Sequence, residues 1–338
     1  MASQTVQGKG FEYACLLSLY ERMASHQAVE VVDSPACRQA RKAYESLGEE
    51  ARASMDQGAR AAIRALCRLE PQLEDPGDNT PLILMIQSDQ RGTTGDVRDI
   101  LAIRERNNWE IGISVKHNHA AVKHSRLSRT IDFGSSWLGI PCSNAYFEEV
   151  EPIFQELVTL REQDLRWSEL ESKAQRFYVP ILEAFKNEMM GLYRTHGAAV
   201  PQELLRYLLG RHDFYKMITD TRNRVTKVQA FSLNGTLNRP SGRLRPIYRV
   251  PSLRLPTIIH SIGFKPGSQT TINIVCNEGW QIAARIHSAS SRVEASLKFD
   301  ITLIGVPPSV YSHDEPWDSY EPIEGRYLDT LVAESESD

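Results

Sequence analysis

The sequence predicts an α/β fold followed by a mostly β C-terminal part. Two observations favour this class. Helix-forming segments alternate with short apolar runs in the first 220 of the 338 residues, and Val, Ile, Thr, Pro and Gly become frequent beyond residue 221. We expect three parts: an α/β part with helical insertions over residues 1–220, a basic β-rich part over residues 221–310, and an acidic tail over residues 311–338.

The N-terminal segments predict helices and a buried strand. Residues 7–24 form one helix, since apolar residues recur every four positions from Phe11, and Glu12 lies at the margin of this apolar face. Residues 36–69, rich in Ala, Arg, Glu and Leu, predict one or two more helices. The short apolar run PLILMIQS, residues 81–88, predicts a buried strand.

The segment from Asp96 to Lys116 predicts a β-hairpin. Its strands, DILAIRE and WEIGISVK, are joined by residues 106–108, where Asn tolerates the positive φ of a tight turn. Because side chains alternate along a strand, the second strand has an apolar and a polar face. The polar face carries Glu110, Gly112, Ser114 and Lys116.

The remaining segments predict helices and then strands. Residues 144–194 are helical apart from an interruption at Pro180, and residues 201–217 add a short helix. Strands are predicted at INIVCN, WQIAARIH and LKFDITLIG. The acidic segment after Tyr311 predicts a loosely ordered tail.

Composition limits the class of protein. A hydrophobic content of 41% is enough for packed cores, no apolar run approaches the roughly 18 residues that cross a bilayer, and the N-terminus lacks a signal-peptide pattern. We therefore expect a cytoplasmic protein without a membrane partner. Five scattered cysteines without a CxxC pair favour buried, reduced thiols over disulfides or a zinc site.

Charge is segregated along the chain, although the net charge is only −4. Residues 216–265 contain ten basic residues and one acid, whereas the last 26 residues contain nine acids and one arginine. This distribution favours a polyanion as the partner of the basic segment. The alternative is an ordinary solvated surface, although such surfaces usually interleave opposite charges.

The hairpin brings an aspartate and a lysine to one end of a sheet. Phosphodiester hydrolysis needs a hard cation held by carboxylates and a nearby positive charge for the attacking water. We predict that Asp99 binds Mg²⁺ and that Lys116 positions the water. Glu12 is a candidate for a further carboxylate, and Asp96 is the alternative to Asp99. A surface hairpin without a function is the competing interpretation, because many such hairpins carry both residue types.

The segment after the hairpin, residues 116–129, is basic and contains no acid. It is suited to contact DNA phosphates beside the hairpin. The predicted DNA-binding residues here are His117, Asn118, His119, Lys123, His124 and Arg126. The contiguous His-Asn-His lacks the spacing of an HNH nuclease and the paired ligands of a zinc site.

Four strings resemble the HaeIII family of type II restriction endonucleases: GKGFE (8–12), GDVRDI (95–100), WEIGISVKHNHAAVKHSRLS (109–128) and RIHSASSRVEASLKFDITLIG (285–305). The resemblance implies a PD-(D/E)XK nuclease core, a mixed sheet flanked by helices, with DNA recognition by the β-rich part. It also implies Mg²⁺-dependent cleavage of duplex DNA at GGCC, between the central G and C, leaving blunt 5′-phosphorylated ends.

The resemblance also implies roles for individual residues. Asp99 matches the superfamily's aspartate and Lys116 its final lysine, whereas Ser114 stands where an acid usually lies. Another carboxylate must then complete the metal site. Glu110 faces the same side as Ser114 but lies four strand residues, about 13 Å, away. The candidates are Glu12, which we prefer, Glu110, and the downstream Glu148 or Glu149.

Sequence recognition requires side chains that reach base edges, and Arg or Lys on guanine suits a G·C target. We expect these side chains in the basic region and in the last family-like string, with most of the arginines contacting phosphates or nothing. The residues are Arg243, Arg245, Arg249, Arg285, His287, Arg292 and Lys298.

Other interpretations stay open. Ser114 in place of an acid is compatible with a DNA-binding protein that does not cleave, and the same core would serve a structure-selective repair nuclease. A palindromic target favours a homodimer with one active site per strand, although a single chain could cut the strands in sequence. The resemblance further implies a cognate DNA methyltransferase.

Overall fold

A computed structural model describes residues 4–75, 80–88, 95–117, 123–242 and 244–318. The helices are α1 Gln4–Ala24, α2 Pro35–Glu45, α3 Glu49–Leu69, α4 Pro71–Glu74, α5 Asn144–Glu162, α6 Val179–His196 and α7 Ala199–Leu209. The strands are β1 Val29–Val31, β2 Leu82–Ile86, β3 Ile100–Arg104, β4 Trp109–His117, β5 Lys123–Leu127, β6 Phe214–Asp220, β7 Val225–Phe231, β8 Ile259–Phe264, β9 Thr271–Cys276, β10 Gln281–His287, β11 Leu297–Gly305 and β12 Tyr311–Pro316. The predicted DNA-binding residues Asn118, His119 and Arg243, and the side chain of His117, lie outside the described residues.

The first sheet has seven strands in the order β1-β2-β3-β4-β6-β7-β12. The β1–β2 and β4–β6 pairs are parallel and the other pairs are antiparallel. Helices α1, α2 and α3 pack against this sheet. The predicted α/β class, with a mixed sheet flanked by helices, is therefore confirmed.

Alternation along β4 separates the core of the first sheet from its polar face. Ile111, Ile113 and Val115 are buried in one core with apolar residues of α1 and α3. The intervening Ser114 and Lys116 project from the opposite face, where they line a cleft. This is the two-faced strand that the sequence predicted.

The second sheet has five antiparallel strands in the order β5-β11-β10-β9-β8. Its inner face, which includes Ile282 and Phe299, packs in a second core with α5, α6 and α7. The same core reaches Phe214 and Phe231 of the first sheet. The outer face carries the residues that alternate with the buried ones, and most of these are polar.

The predicted helix over residues 201–217 is partly wrong. Helix α7 ends at Leu209 because Gly210 adopts a φ of 82°, a left-handed conformation that glycine accepts readily. The apolar run that follows is β6, a central strand between β4 and β7. Short apolar runs are ambiguous between helix and strand, and here pairing with two neighbours decides.

The predicted parts do not coincide with the sheets. The β6–β7 hairpin, in which Asp220 pairs with Val225, crosses the expected boundary at residue 220. Strand β5 lies before that boundary but belongs to the second sheet. Sheet pairing over long sequence distances therefore joins the parts that composition had separated.

The first part of the expected loose tail is a strand. Tyr311–Pro316 forms β12, which pairs with β7 at the edge of the first sheet. Glu315 is 2% exposed and accepts bonds from Arg64 and Arg68 of α3. Residues 319–338 lie outside the described residues.

Two further expectations concern the cysteines and membrane-spanning helices. All five cysteines are buried and free, as predicted. In the part of the chain that the structure describes, no helix combines the length and apolar character needed to cross a bilayer.

Candidate active site

The predicted hairpin is present and holds Asp99 between two strands. Ile100 pairs with Ile113, and the turn ends at Asn108, which has a φ of 46°. The backbone N–H of Asp99 donates to the carbonyl of Ile113 (2.8 Å), and the Asp99 carbonyl accepts from the N–H of Gln87 (2.9 Å). The backbone of Asp99 is therefore held on one side by β4 and on the other by the residue that follows β2.

Three donors from β4 converge on one carboxylate oxygen of Asp99. Its Oδ2 accepts bonds from Ser114 Oγ (3.2 Å), the N–H of Val115 (2.7 Å) and Lys116 Nζ (3.2 Å). The structure thus brings together three of the predicted catalytic residues. Ser114, which is 3% exposed, orients Asp99 by donating to it.

Glu12, the predicted further carboxylate, lies on α1 within the electrostatic influence of Asp99. It is 8% exposed on α1, and Lys9 Nζ donates to its Oε2 at 2.9 Å. Burial, and then the negative charge of Asp99, raise the pKa of Glu12 to about 7, while Lys9 and Lys116 act in the opposite direction. Glu12 is therefore close enough to Asp99 for the two negative charges to act on each other.

The sequence analysis missed Lys9 as a site residue. The signal was present, because Lys9 precedes Glu12 by three positions, a spacing at which helical side chains meet. Lys9 is 8% exposed, so the pair is buried rather than a surface contact. Its role is to offset a carboxylate charge that burial makes costly.

The donor set is suitable for a hard divalent cation. No group of three His, Cys, Asp or Glu side chains among the described residues has the arrangement of a complete metal cage. Mg²⁺ does not require one, because it takes oxygen ligands and keeps several of its waters. Asp99 and Glu12 supply two carboxylates that repel each other, and a cation between them would relieve that repulsion. The two residues therefore fit a Mg²⁺ ion.

The other two candidate metal ligands, Asp96 and Glu110, are engaged by Arg98. Arg98 donates to Asp96 from Nε and Nη2 (both 2.8 Å) and to Glu110 from Nη1 (2.7 Å). Burial acts to raise the pKa of Asp96, but the bonds from Arg98 and Gln87 outweigh it and lower the pKa to about 2. These carboxylates thus have a stable partner that is not a metal, and we leave them out of the proposed site.

Lys216 is a further charged residue of the site that the sequence analysis did not select. It pairs with Ser114 across the parallel β4–β6 ladder, is 7% exposed and lines the same cleft as Asp99. Burial, with the charge of Lys116, lowers its pKa to about 8. Lys216 was missed because the segment was interpreted as a helix, which hides its strand partner.

The site opens into a cleft of about 660 Å³ between the two sheets. Asp99, Ser114, Lys116 and Lys216 line one side. The other side is formed by β5, with residues Lys123, His124, Ser125 and Arg126. Three of the predicted DNA-binding residues are therefore in the same cleft as the predicted catalytic residues.

The outer face of the second sheet gathers more of the predicted DNA-binding residues. In the antiparallel register Lys298 pairs with Arg126 on one side and with His287 on the other, and Asp300 pairs with His124 and Arg285. Paired residues project from the same face. The face, called the basic face below, consists of His124, Arg126, Arg285, His287, Lys298 and Asp300.

Of the other predicted DNA-binding residues that the structure describes, Arg245, Arg249 and Arg292 lie outside the cleft, and Lys123 lines the cleft but turns inward. Arg245 donates to the carbonyls of Gly242 and Leu244 in an exposed loop that also carries Arg249, and neither arginine lines the cleft. Arg292 forms an ion pair with Asp164. Lys123 packs over the ring of Tyr207, with Nζ 3.7 Å from its centroid.

Comparisons with known proteins give a consistent result. The family model described as HaeIII restriction endonuclease matches residues 8–307. The chain is 40% identical over 311 residues to the type II restriction enzyme HaeIII of Haemophilus aegyptius. The aligned region covers 92% of this chain and 97% of that enzyme. No solved structure matches the chain.

Proposed function

Because the chain belongs to the HaeIII restriction endonuclease family, we propose that it cleaves duplex DNA at GGCC by Mg²⁺-dependent phosphodiester hydrolysis. The observation that carries the proposal is the contact between Asp99 and Lys116 in a cleft that also contains basic side chains of β5, with Glu12 of α1 close enough for its charge to interact with Asp99. The products would be blunt ends with 5′-phosphates and 3′-hydroxyls.

The roles of the residues follow from their contacts. Asp99 and Glu12 would hold the metal ion, with Ser114 Oγ and the N–H of Val115 fixing the orientation of Asp99. When bound, Mg²⁺ supplies a polarised phosphate oxygen and a water of lowered pKa. Lys116, beside Asp99, would orient the attacking water and offset negative charge that develops on the phosphate.

Lys216 would add a fixed positive charge beside the reacting phosphate. It lies on the strand next to Ser114, in surroundings that exclude most water. A charge at such a position acts more strongly on a developing anion than the same charge in water. The oxygen of water would form the new bond to phosphorus as water releases a proton to solvent. The 3′-oxygen would leave with the electron pair of the broken bond and take up a proton to become the 3′-hydroxyl.

The finer assignments belong to the same proposal. They comprise a PD-(D/E)XK type of catalytic core, residues 221–310 as the main recognition part, a homodimer on the palindromic site, a cytoplasmic location, and a cognate methyltransferase that protects the host's own sites. The basic face adds support for recognition by strands of the second sheet.

The test is digestion of DNA of known sequence by the purified protein with and without Mg²⁺. We expect fragments whose sequenced ends all lie between the central G and C of GGCC, with cleavage lost after chelation of Mg²⁺. Tight binding to GGCC duplex without cleavage in Mg²⁺ or Mn²⁺ would support the non-cleaving alternative. Cleavage of branched but not linear duplex would support a repair nuclease.

A further inference from the structure

A second cluster of titratable side chains lies outside the Asp99 site, on the basic face. Asp300 of β11 stands between His124 of β5 and His287 of β10. Its Oδ1 is 2.6 Å from Nδ1 of His124, and its Oδ2 is 2.7 Å from Nε2 of His287. One carboxylate thus holds two imidazole rings from the two neighbouring strands.

We propose that Asp300 is a specificity-determining positioning residue, which orients His124 so that its Nε2 accepts a hydrogen bond from a cytosine amino group of the target. The inference rests on the proposed function in cleavage at GGCC. Asp300 acts through His124 and does not itself contact the DNA.

Accounting for donors and acceptors fixes the role of each ring nitrogen. Burial acts to raise the pKa of Asp300, but the bonds to His124 and His287 lower it, so Asp300 is an ionised acceptor. Nδ1 of His124 must then be the donor. Both ring nitrogens of His287 also lie against protein groups, since its Nε2 is near Asp300 and its Nδ1 is 2.9 Å from the carbonyl oxygen of Ser288.

Nε2 of His124 is consequently the nitrogen that is left to meet a ligand. The His124 side chain is 67% exposed and lines the catalytic cleft. Among the described residues, no partner is recorded for its Nε2. Because the bond at Nδ1 sets the tautomer, the neutral ring presents a lone pair at Nε2. The cytosine N4 amino group is a donor in the major groove, so it is the base-edge group that this lone pair would read.

If Asp300 acted only through its negative charge, its removal would affect DNA binding differently from the loss of a positioning residue. The carboxylate lies among Arg126, Arg285 and Lys298, where it weakens attraction to phosphates of any sequence. If that were its role, its neutralisation would strengthen binding to all DNA equally. If it positions His124, neutralisation must lower the preference for the target over other sequences.

The experiment compares two variants, Asp300→Asn and His124→Asn, with the wild type. Affinity for a GGCC duplex and for an unrelated duplex is measured by fluorescence anisotropy, with Ca²⁺ in place of Mg²⁺ to prevent cleavage. We expect the ratio of the two affinities to fall about tenfold in both variants, since one base contact is lost. His196→Asn, at the exposed end of α6, is the matched control and keeps the wild-type ratio.

A spectroscopic measurement separates positioning from a general structural effect. ¹⁵N NMR of the imidazole groups in the wild type should show the neutral ring of His124 protonated at Nδ1, and this preference should be lost in Asp300→Asn. An unchanged affinity ratio in both variants, or equal strengthening on both duplexes, would overturn the inference. His124→Asn gives the answer even if Asp300→Asn does not fold, because His124 is exposed. A wild type that binds DNA without preference for GGCC would overturn the proposed function and this inference with it.

Discussion

The two sheets differ in how deeply they bury their charged side chains. Beside the first sheet Glu12 and Lys216 are 8% and 7% exposed, and burial moves the pKa of each toward neutrality. On the second sheet the basic face has no fully buried member: His124, 67% exposed, and Arg285 are exposed, and the other four residues are half-buried. Buried charges are few, costly and suited to chemistry, whereas exposed charges are suited to long-range attraction of phosphates.

On the proposed function, cleavage is expected to depend on the first sheet and binding on the second. A substitution at the buried site should change the rate of cleavage of bound DNA. A substitution on the basic face should change affinity and its dependence on salt. The cleft lies between the two, since β4 and β5 contribute to its opposite sides.

Outside the Asp99–Lys116 pair, the largest expected effect is that of Glu12→Gln. Without the second carboxylate, cleavage at a Mg²⁺ concentration that saturates the wild type should fall about 100-fold or more. Single-turnover cleavage across a Mg²⁺ titration measures it. Mg²⁺ should also raise the melting temperature of the wild type more than that of the variant, because ligand binding stabilises the folded state.

Glu21→Gln is the matched control, because Glu21 is exposed on the same helix. It should keep the Mg²⁺ dependence of both measurements. An equal rise of the melting temperature with Mg²⁺ in Glu12→Gln and the wild type would remove Glu12 from the metal site.

A buried carboxylate outside the cleft shows what burial alone does to the pKa of a carboxyl group that takes no part in the proposed cleavage. Glu70 is fully buried at the end of α3, and its Oε1 accepts from Tyr215 Oη and the N–H of Asn238, both at 2.6 Å. Its Oε2 is without a partner among the described residues. Burial raises the pKa of Glu70 to about 7, although both bonds act to lower it.

The folded protein therefore binds a proton at Glu70 more tightly than the unfolded chain does. The stabilisation is fully present below the unfolded pKa of 4.5 and is lost as pH rises through about 7. Its upper limit is about 3 kcal/mol. In Glu70→Gln, denaturant unfolding between pH 4.5 and 8 should show a flatter pH dependence than in the wild type, with no change in cleavage rate.

Glu45→Gln, at the exposed end of α2, is the matched control and should retain the wild-type pH dependence of unfolding. If the stability of Glu70→Gln depends on pH in the same way as that of the wild type, burial does not raise the pKa of Glu70. The contrast between buried and exposed charge would then be weakened.

The smallest effect is expected on the basic face. Lys298→Ala should weaken binding to any duplex several-fold and reduce the slope of log affinity against log salt by about 0.9, the value of one phosphate contact. Lys265→Ala, at the exposed turn after β8, serves as the control on the same sheet. A slower cleavage of fully bound DNA by Lys298→Ala would contradict the division between the sheets.

Local pattern was enough to predict the hairpin and the helices that pack on it. Alternation in β4, the Asn turn and the spacing on α1 are all short-range signals, and each element formed where it was expected. Glu12 could be proposed as the second carboxylate because it lies at the margin of the apolar face of α1.

Contacts between distant residues could not be predicted in the same way. Lys216 joins the site through the β4–β6 ladder, and His124 meets Asp300 across 176 residues. Arg98 donates hydrogen bonds to Asp96 and Glu110, which from sequence alone were candidate metal ligands. Sequence shows which groups exist, but the pairing of strands decides which of them meet.

The most direct test of the account is to measure cleavage and binding together in Asp99→Asn and in Lys116→Ala. Both residues contact each other in the cleft, and neither lies on the basic face. We expect single-turnover cleavage to fall at least about 1000-fold in each variant while affinity for the GGCC duplex stays within a few-fold of the wild type. The control variant Lys42→Ala, at an exposed position on α2, should match the wild type in both cleavage rate and affinity. Cleavage retained in both variants would contradict the assignment of the active site to the first sheet.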